Sequence, residues 1–353
     1  MAPKVFLTGA NGFVASHILA QLIENKYEVV ASVRSPAKAE EVLALHPSYK
    51  TAALSFTYIA DIATPGAFDD VFKSTEPGFD YVFHTASPVN FSVKDAQKEL
   101  IDPAVQGTIG IIESAHKLGG KTLKRFVLLG SAVAVLNSFE DMSKAGKPYT
   151  EADWNPVTAD YAISHNDMVA AYNVAKILAE RAAWAFVETA KPGFDLVVIN
   201  PDIIIGPMLQ AVNSAKAVNE TNTFAVYSFF NGTNKKIEEV AFPFYHFVDV
   251  RDVARAHVLA LEKPAAGGKR NLLVAGLITP QLVANLIRKN FPELRERVAE
   301  GTPEQTLPKG VQPTGWDTSR NFEVFGPDWR YIGLEESLVD TVKSILELEK
   351  QWK

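Results

Sequence analysis

The chain has 353 residues, room for two domains or for one large domain with an added lobe. Its 47% hydrophobic and 22% charged content excludes disordered, collagenous and coiled-coil chains, and a net charge of −6 gives no basic field to gather nucleic acid or an anionic membrane. With no cysteine there is no disulfide, thiolate nucleophile or Cys-ligated metal centre, so redox chemistry would need a borrowed cofactor.

The sequence from Met1 runs into a turn after a few apolar residues, which does not fit a signal peptide. The longest apolar run, Phe126 to Leu136, is interrupted by Gly130 and Ser131 and falls short of the roughly 20 residues needed to span a bilayer. The expectation is a soluble, cytoplasmic protein with no membrane or nucleic-acid partner.

Short β-branched and aromatic runs then alternate with helical patterns. Strands are expected at Val5–Thr8, Glu28–Val33, Leu54–Ile59, Tyr81–His84, Phe126–Leu129 and Leu196–Ile199. Helices are expected at Phe13–Glu24, Pro36–Leu45, Ala67–Phe72, Ala96–Leu118 and about His165–Ala190. This rhythm is that of right-handed βαβ units and predicts an α/β fold with a doubly wound parallel sheet of the Rossmann type over residues 1–200. Past Pro201 the rhythm degrades, leaving patterns at Val248–Leu261, Thr279–Asn290 and Leu334–Leu348. Residues 201–242 and 263–353 therefore read as a smaller C-terminal lobe covering a substrate, with a segment of about 243–262 returning to the sheet domain.

The first predicted βα junction carries Gly9-Ala10-Asn11-Gly12-Phe13-Val14-Ala15. Glycines there permit a tight turn and let backbone N–H groups, with the helix N-terminus behind them, approach a pyrophosphate, while Ala15 lets helix and strand pack closely. After the second strand, a site for unphosphorylated NAD would place an acid on the ribose hydroxyls. No acid occurs from Val29 to Ala39, and Arg34 and Lys38 flank Ser35, where they could clamp a 2′-phosphate or be ordinary solvated charges. NADPH is the cofactor this favours.

Tyr172 and Lys176 stand at i and i+4 of a helical pattern, so their heads share one face. A phenol works as a proton donor and acceptor near neutrality when its anion is stabilised, and a neighbouring ammonium would do that. Such a pair also arises by chance in a chain with ten tyrosines, so its context matters. The context is Ser131, at the C-terminal end of the fifth strand, where open α/β sheets bind ligands; its hydroxyl could bond a substrate carbonyl oxygen or simply end the strand. No G-x-S-x-G elbow and no H-E-x-x-H spacing occurs, so neither a serine hydrolase nor a metal centre is expected, and His84 reads as a packed strand-end residue.

At these residues the chain resembles the extended short-chain dehydrogenase/reductases, especially fungal NADPH-dependent aldehyde/ketone and methylglyoxal reductases and plant dihydroflavonol reductases. The likeness also covers Asp61-Ile62, His84-Thr85-Ala86-Ser87-Pro88, Asn200-Pro201 through Gly206-Pro207, and Phe247 to Ala254. It implies that Ser131, Tyr172 and Lys176 are catalytic and that Asp61 and Ile62 meet the adenine. It further implies that Thr85, Ala86 and Ser87 run under the cofactor and that Pro201 to Ile204 border the nicotinamide. Phe91, Ala132, Val169 and Ile203 are expected to line the substrate pocket.

Three departures stand out. The family commonly has a second hydroxyl residue before its catalytic serine and a serine before its lysine, where this chain has Gly130 and Ala175. Ala132 and Ile203 replace aromatic pocket residues of the yeast reductases, which predicts room for bulky or aryl ketones. Asp202 is an unexpected carboxylate. The function read from all this is NADPH-dependent reduction of ketones or aldehydes. Alternatives are a dehydrogenase or epimerase of a sterol, flavonoid or nucleotide sugar, and a non-catalytic NADPH-binding regulator. Alanines 170, 171, 175, 179, 182, 183 and 185 suit close helix packing, in the core or in a homodimer.

Overall fold

A computed structural model describes residues 2–87, 91 and 93–352. Pro88, the last residue of the motif after the fourth strand, lies outside the described residues. The chain opens with β1 (Lys4–Leu7), α1 (Phe13–Glu24), β2 (Glu28–Val33), α2 (Pro36–Leu45), β3 (Leu54–Tyr58), α3 (Asp69–Ser74) and β4 (Tyr81–His84). It continues through α4 (Asp102–Leu118), β5 (Arg125–Leu129), α5 (Ala159–Ser164), α6 (Met168–Ala190) and β6 (Asp195–Pro201).

All neighbours in the main sheet are parallel, in the order β3-β2-β1-β4-β5-β6, with Val5 in register with Val29 on one side and Tyr81 on the other. Strand order reverses between β1 and β4, so the loops leaving these strands part and open a crevice at their C-terminal ends. The strands are apolar on both faces because helices cover both. α1 places Val14, Ile18, Leu19 and Leu22 against one face, and Ile111, Ile112 and Ala115 of α4 cover the other. Each such side chain, fully buried, contributes about 1.5–3 kcal/mol.

α6 begins at Asp167, whose side chain accepts from the Ala170 N–H at 2.9 Å, and ends at Lys191 in the left-handed region. Ala170, Ala171, Ala175, Ala179 and Ala183 are all buried, and α6 packs closely against α4 within the chain. Intramolecular packing thus accounts for most of the alanine stripe.

The chain leaves the main sheet at Asp202 and starts a second, three-stranded sheet, in which β7 (Ile203–Ile205) pairs in parallel with β8 (His246–Asp249). Between them lies α7 (Glu220–Ala225). α8 (Val250–Glu262) follows β8 and returns to pack on α1. β9 (Lys269–Leu273) then joins the main sheet as its seventh strand, parallel to β6, and β10 (Gly276–Leu277) completes the small sheet, antiparallel to β8. α9 (Pro280–Asn290), α10 (Arg320–Phe325) and α11 (Leu334–Glu349) end the chain.

The expectation that residues 263–353 belong wholly to the covering lobe therefore needs correction. β9 lies in the main sheet, and Val324, Phe325 and Trp329 pack into the core beneath α1 and α8. Only α9, α11 and the segments around them share the lobe core of Phe229, Phe230, Phe242 and Phe247. Among the described residues no helix is long and apolar enough to cross a membrane.

Candidate active site

The crevice between β1 and β4 holds a cavity of about 470 Å³. Its floor is the turn after β1. Gly9 has a φ of +69°, a left-handed conformation that side chains rarely adopt, and a Cβ there would stand 3.2 Å from both Cα and Cβ of Ala86. Gly12 caps α1 with no side-chain hydrogen bond, which leaves the first N–H groups of that helix without a side-chain cap among the described residues and facing where an anion could bind.

Thr8 fixes the neighbouring segment. Its hydroxyl oxygen accepts from the N–H groups of Thr85 (3.0 Å) and Ala86 (3.1 Å), so its own proton is left for Nδ1 of His84 at 3.0 Å. His84 is buried, and desolvation, with the Lys176 charge nearby, pushes its pKa down to about 3. It is the packed strand-end histidine expected from the sequence.

Ser131 follows β5, and Tyr172 and Lys176 come from one face of α6; all three line the cavity. The Lys176 ammonium lies 5.7 Å from the centre of the Tyr172 ring, and Phe91 covers that ring at 5.6 Å. Burial pushes the Tyr172 phenol up to about 12, with its hydrogen bond to Ser131 pulling the other way, and burial lowers Lys176 to about 8. In the protein alone, desolvation thus outweighs the ammonium expected to lower the phenol. At neutral pH Tyr172 holds its proton and can donate it.

Gly9, Gly12, Phe13, Val14, Thr85 and Ser87 line the same cavity, as do Pro201, Ile203 and Ile204 from the passage between the two sheets and Val169 from α6. Ala86 packs behind Gly9. Other expected residues lie elsewhere. Asn11 borders a separate narrow crevice with His46 and Leu209. Arg34 is exposed beyond β2 with no ion pair among the described residues, whereas Lys38 is held by Glu41 at 2.8 Å. The exposed Asp61 accepts from the Ala63 N–H, and Ile62 packs on the α4 backbone at Gly107. None of these five lines the cavity.

Ala132 is not a pocket residue. The chain turns sharply after Ser131, whose hydroxyl oxygen accepts from the Val133 N–H at 3.4 Å; this buries Ala132 completely and puts Val133 on the wall. The sequence reading also missed Asn173, Glu220, Pro243 and Phe244, which line the cavity with Thr221 and Phe224. The available signal was the aromatic content of the segment past Pro201 where the strand-helix rhythm degrades, with Phe224 and Phe244 among it.

Asp202 stands in the wall between Pro201 and Ile203. Its Oδ1 accepts from the Ile203 N–H at 2.8 Å, its Oδ2 is buried without a partner among the described residues, and desolvation raises its pKa to about 7. Lys176, Asp202 and Glu220 are the charged groups among the described lining residues.

Fold and crevice define a dinucleotide-binding α/β protein. Residues 5–276 match the model of the NAD dependent epimerase/dehydratase family, to which the chain belongs. It is 36% identical to a putative NADPH-dependent methylglyoxal reductase, GRP2, of Candida albicans over 97% of this chain and 98% of that protein. It is 37% identical to the ketoreductase azaE of Aspergillus niger, with 98% of each covered. Among solved structures, yeast methylglyoxal/isovaleraldehyde reductase Gre2 complexed with NADPH aligns with a TM-score of 0.87 at 31% identity, over 99% of both chains.

Proposed function

We propose that the chain is an NADPH-dependent carbonyl reductase, acting in the cytoplasm on ketones or aldehydes with Ser131, Tyr172 and Lys176 as its catalytic residues. The observation that carries this reading is the meeting of these three side chains in one cavity whose floor is the glycine turn. The residues present fit the cofactor. The turn at Gly9 and Gly12 with the N-terminus of α1 would hold the pyrophosphate, and Arg34, unpaired among the described residues, would hold the 2′-phosphate. When bound, NADPH supplies a hydride to the carbonyl carbon.

The rest of the chemistry falls to the protein. Ser131 donates a hydrogen bond to the carbonyl oxygen as negative charge develops there, and Tyr172 gives that oxygen its proton. Lys176, charged at neutral pH, stabilises the phenolate left behind. Phe91, Phe224, Phe244, Val133 and Val169 make the walls apolar and partly aromatic, which favours bulky or aryl ketones. A nucleotide-sugar substrate fits poorly, because no arginine is among the described lining residues to meet its phosphates.

The test follows NADPH consumption against a panel of ketones and aldehydes for the native enzyme and Tyr172→Phe. Turnover should fall by at least about a hundred-fold with NADPH affinity nearly unchanged, since the ring still packs and only the proton donor is lost. A variant that keeps most of its turnover removes Tyr172 from the reaction.

A further inference from the structure

Behind the cavity lies a chain of buried polar groups that takes no direct part in the chemistry above. Asn200, on β6, is fully buried, and its amide donates both hydrogens: to the backbone oxygen of Ser131 at 3.1 Å and to Oε2 of Glu180 at 2.8 Å. Glu180 lies on α6, four residues beyond Lys176 and eight beyond Tyr172, on the same face of that helix. Its Oε1 accepts from Nε of Arg270 at 2.6 Å and from the Trp184 indole at 3.2 Å.

Arg270 comes from β9. Its Nη1 donates to the backbone oxygens of Glu151 (2.9 Å) and Asp153 (2.6 Å), and its guanidinium stacks 3.9 Å from the centre of the Trp154 ring. Glu180 and Arg270 are both buried, and a buried carboxylate without its cation is costly, so the pair holds its geometry strictly. One carboxylate therefore joins the helix that carries Tyr172 and Lys176 to the strand end that carries Ser131, with Asn200 as the link.

Gly130 shows that the link leaves little room. A Cβ at that position would stand 2.6 Å from Nδ2 of Asn200 and 2.8 Å from Cγ1 of Val198.

We propose that Asn200, Glu180 and Arg270 are positioning residues, a relay that fixes Ser131 in register with Tyr172 and Lys176. This rests on the catalytic reading of those three. A carbonyl oxygen released from Asn200 lets the Ser131 turn shift, and a displacement on the order of 1 Å in a catalytic group costs about a hundred-fold in rate.

Asn200→Ala tests the relay while leaving Glu180 paired with Arg270, so no buried charge is stranded. At saturating NADPH and ketone, kcat should fall by about 10- to 100-fold, with the NADPH dissociation constant, read by fluorescence, within about two-fold. The distinguishing measurement is the Ser131→Ala background. There Asn200→Ala should cost nothing further, because the group it positions is gone. Gly130→Ala, which presses on the Asn200 amide without removing it, should reproduce both results and carries the test if Asn200→Ala does not fold. A fully active Asn200→Ala enzyme, or a loss that multiplies with that of Ser131→Ala, overturns the relay. A Tyr172→Phe enzyme that stays active overturns the site reading and the relay with it, whereas an inactive Tyr172→Phe beside a fully active Asn200→Ala overturns the relay alone.

Discussion

Asp202 makes the stability of the protein depend on pH in a direction that its surroundings fix. Among the described residues its carboxyl accepts from one backbone N–H and keeps one buried oxygen without a partner, and burial raises its pKa from 3.8 to about 7. A carboxyl with a raised folded-state pKa binds its proton more tightly in the native state than in the unfolded chain. Its penalty is absent below about pH 4 and grows as pH rises, until it levels off above 7. The full shift of roughly three pKa units corresponds to about 4 kcal/mol, of which some 2 to 3 kcal/mol develops between pH 5 and pH 8. Asp202→Asn keeps the acceptor for the Ile203 N–H and removes the charge; its unpaired amide hydrogens cost about 1–3 kcal/mol, equally at every pH. Urea unfolding of the cofactor-free protein, followed by tryptophan fluorescence from pH 5 to pH 8, should show the variant gaining on the native protein by roughly 2 to 3 kcal/mol. A stability difference that stays constant across this range, or moves toward the native protein, refutes the reasoning.

Arg34→Ala should weaken NADPH about ten- to hundred-fold and leave NADH nearly unchanged, because only NADPH carries the phosphate that the guanidinium would pair; equal losses by titration return Arg34 to the solvent. The kcat/KM for reduction should fall with a one-proton slope as pH rises through about 8, where Lys176 loses its charge, and this limb should persist in Asp202→Asn. A limb that vanishes in Asp202→Asn belongs to the carboxyl instead. An aryl ketone should have a higher kcat/KM than methylglyoxal, since burying a phenyl group gains about 1.5–3 kcal/mol, and Phe224→Ala should cost the aryl ketone more; a preference for methylglyoxal in the native enzyme removes the argument from the aromatic walls.

What the sequence made legible is what depends on local spacing. α1 and α2 have the bounds their apolar periodicity predicts, and β1 and β4 meet where the glycine turn implied a crevice. Tyr172 and Lys176 share a helix face by arithmetic alone. Ala132 was assigned to the pocket by resemblance alone, and a resemblance carries no account of the short turn begun by the Ser131 hydroxyl, which accepts from the Val133 N–H, buries Ala132 and leaves Val133 on the cavity wall.

β9 escaped for a reason of longer range. Lys269-Arg270-Asn271-Leu272-Leu273 reads as polar surface followed by two apolar residues, yet Arg270 and Asn271 are buried. Arg270 can be inside because Glu180, 90 residues earlier, neutralises it, and Asn271 because its amide reaches the backbone oxygens of Val198 and Lys269. Hydropathy scores each residue against water, whereas the cost of burying a polar group depends on the partner it finds in the folded state. The same pairing that concealed the seventh strand ties α6 to Asn200 and, through it, to Ser131. The strand least legible in the sequence is thereby fastened to the most legible residues of the site.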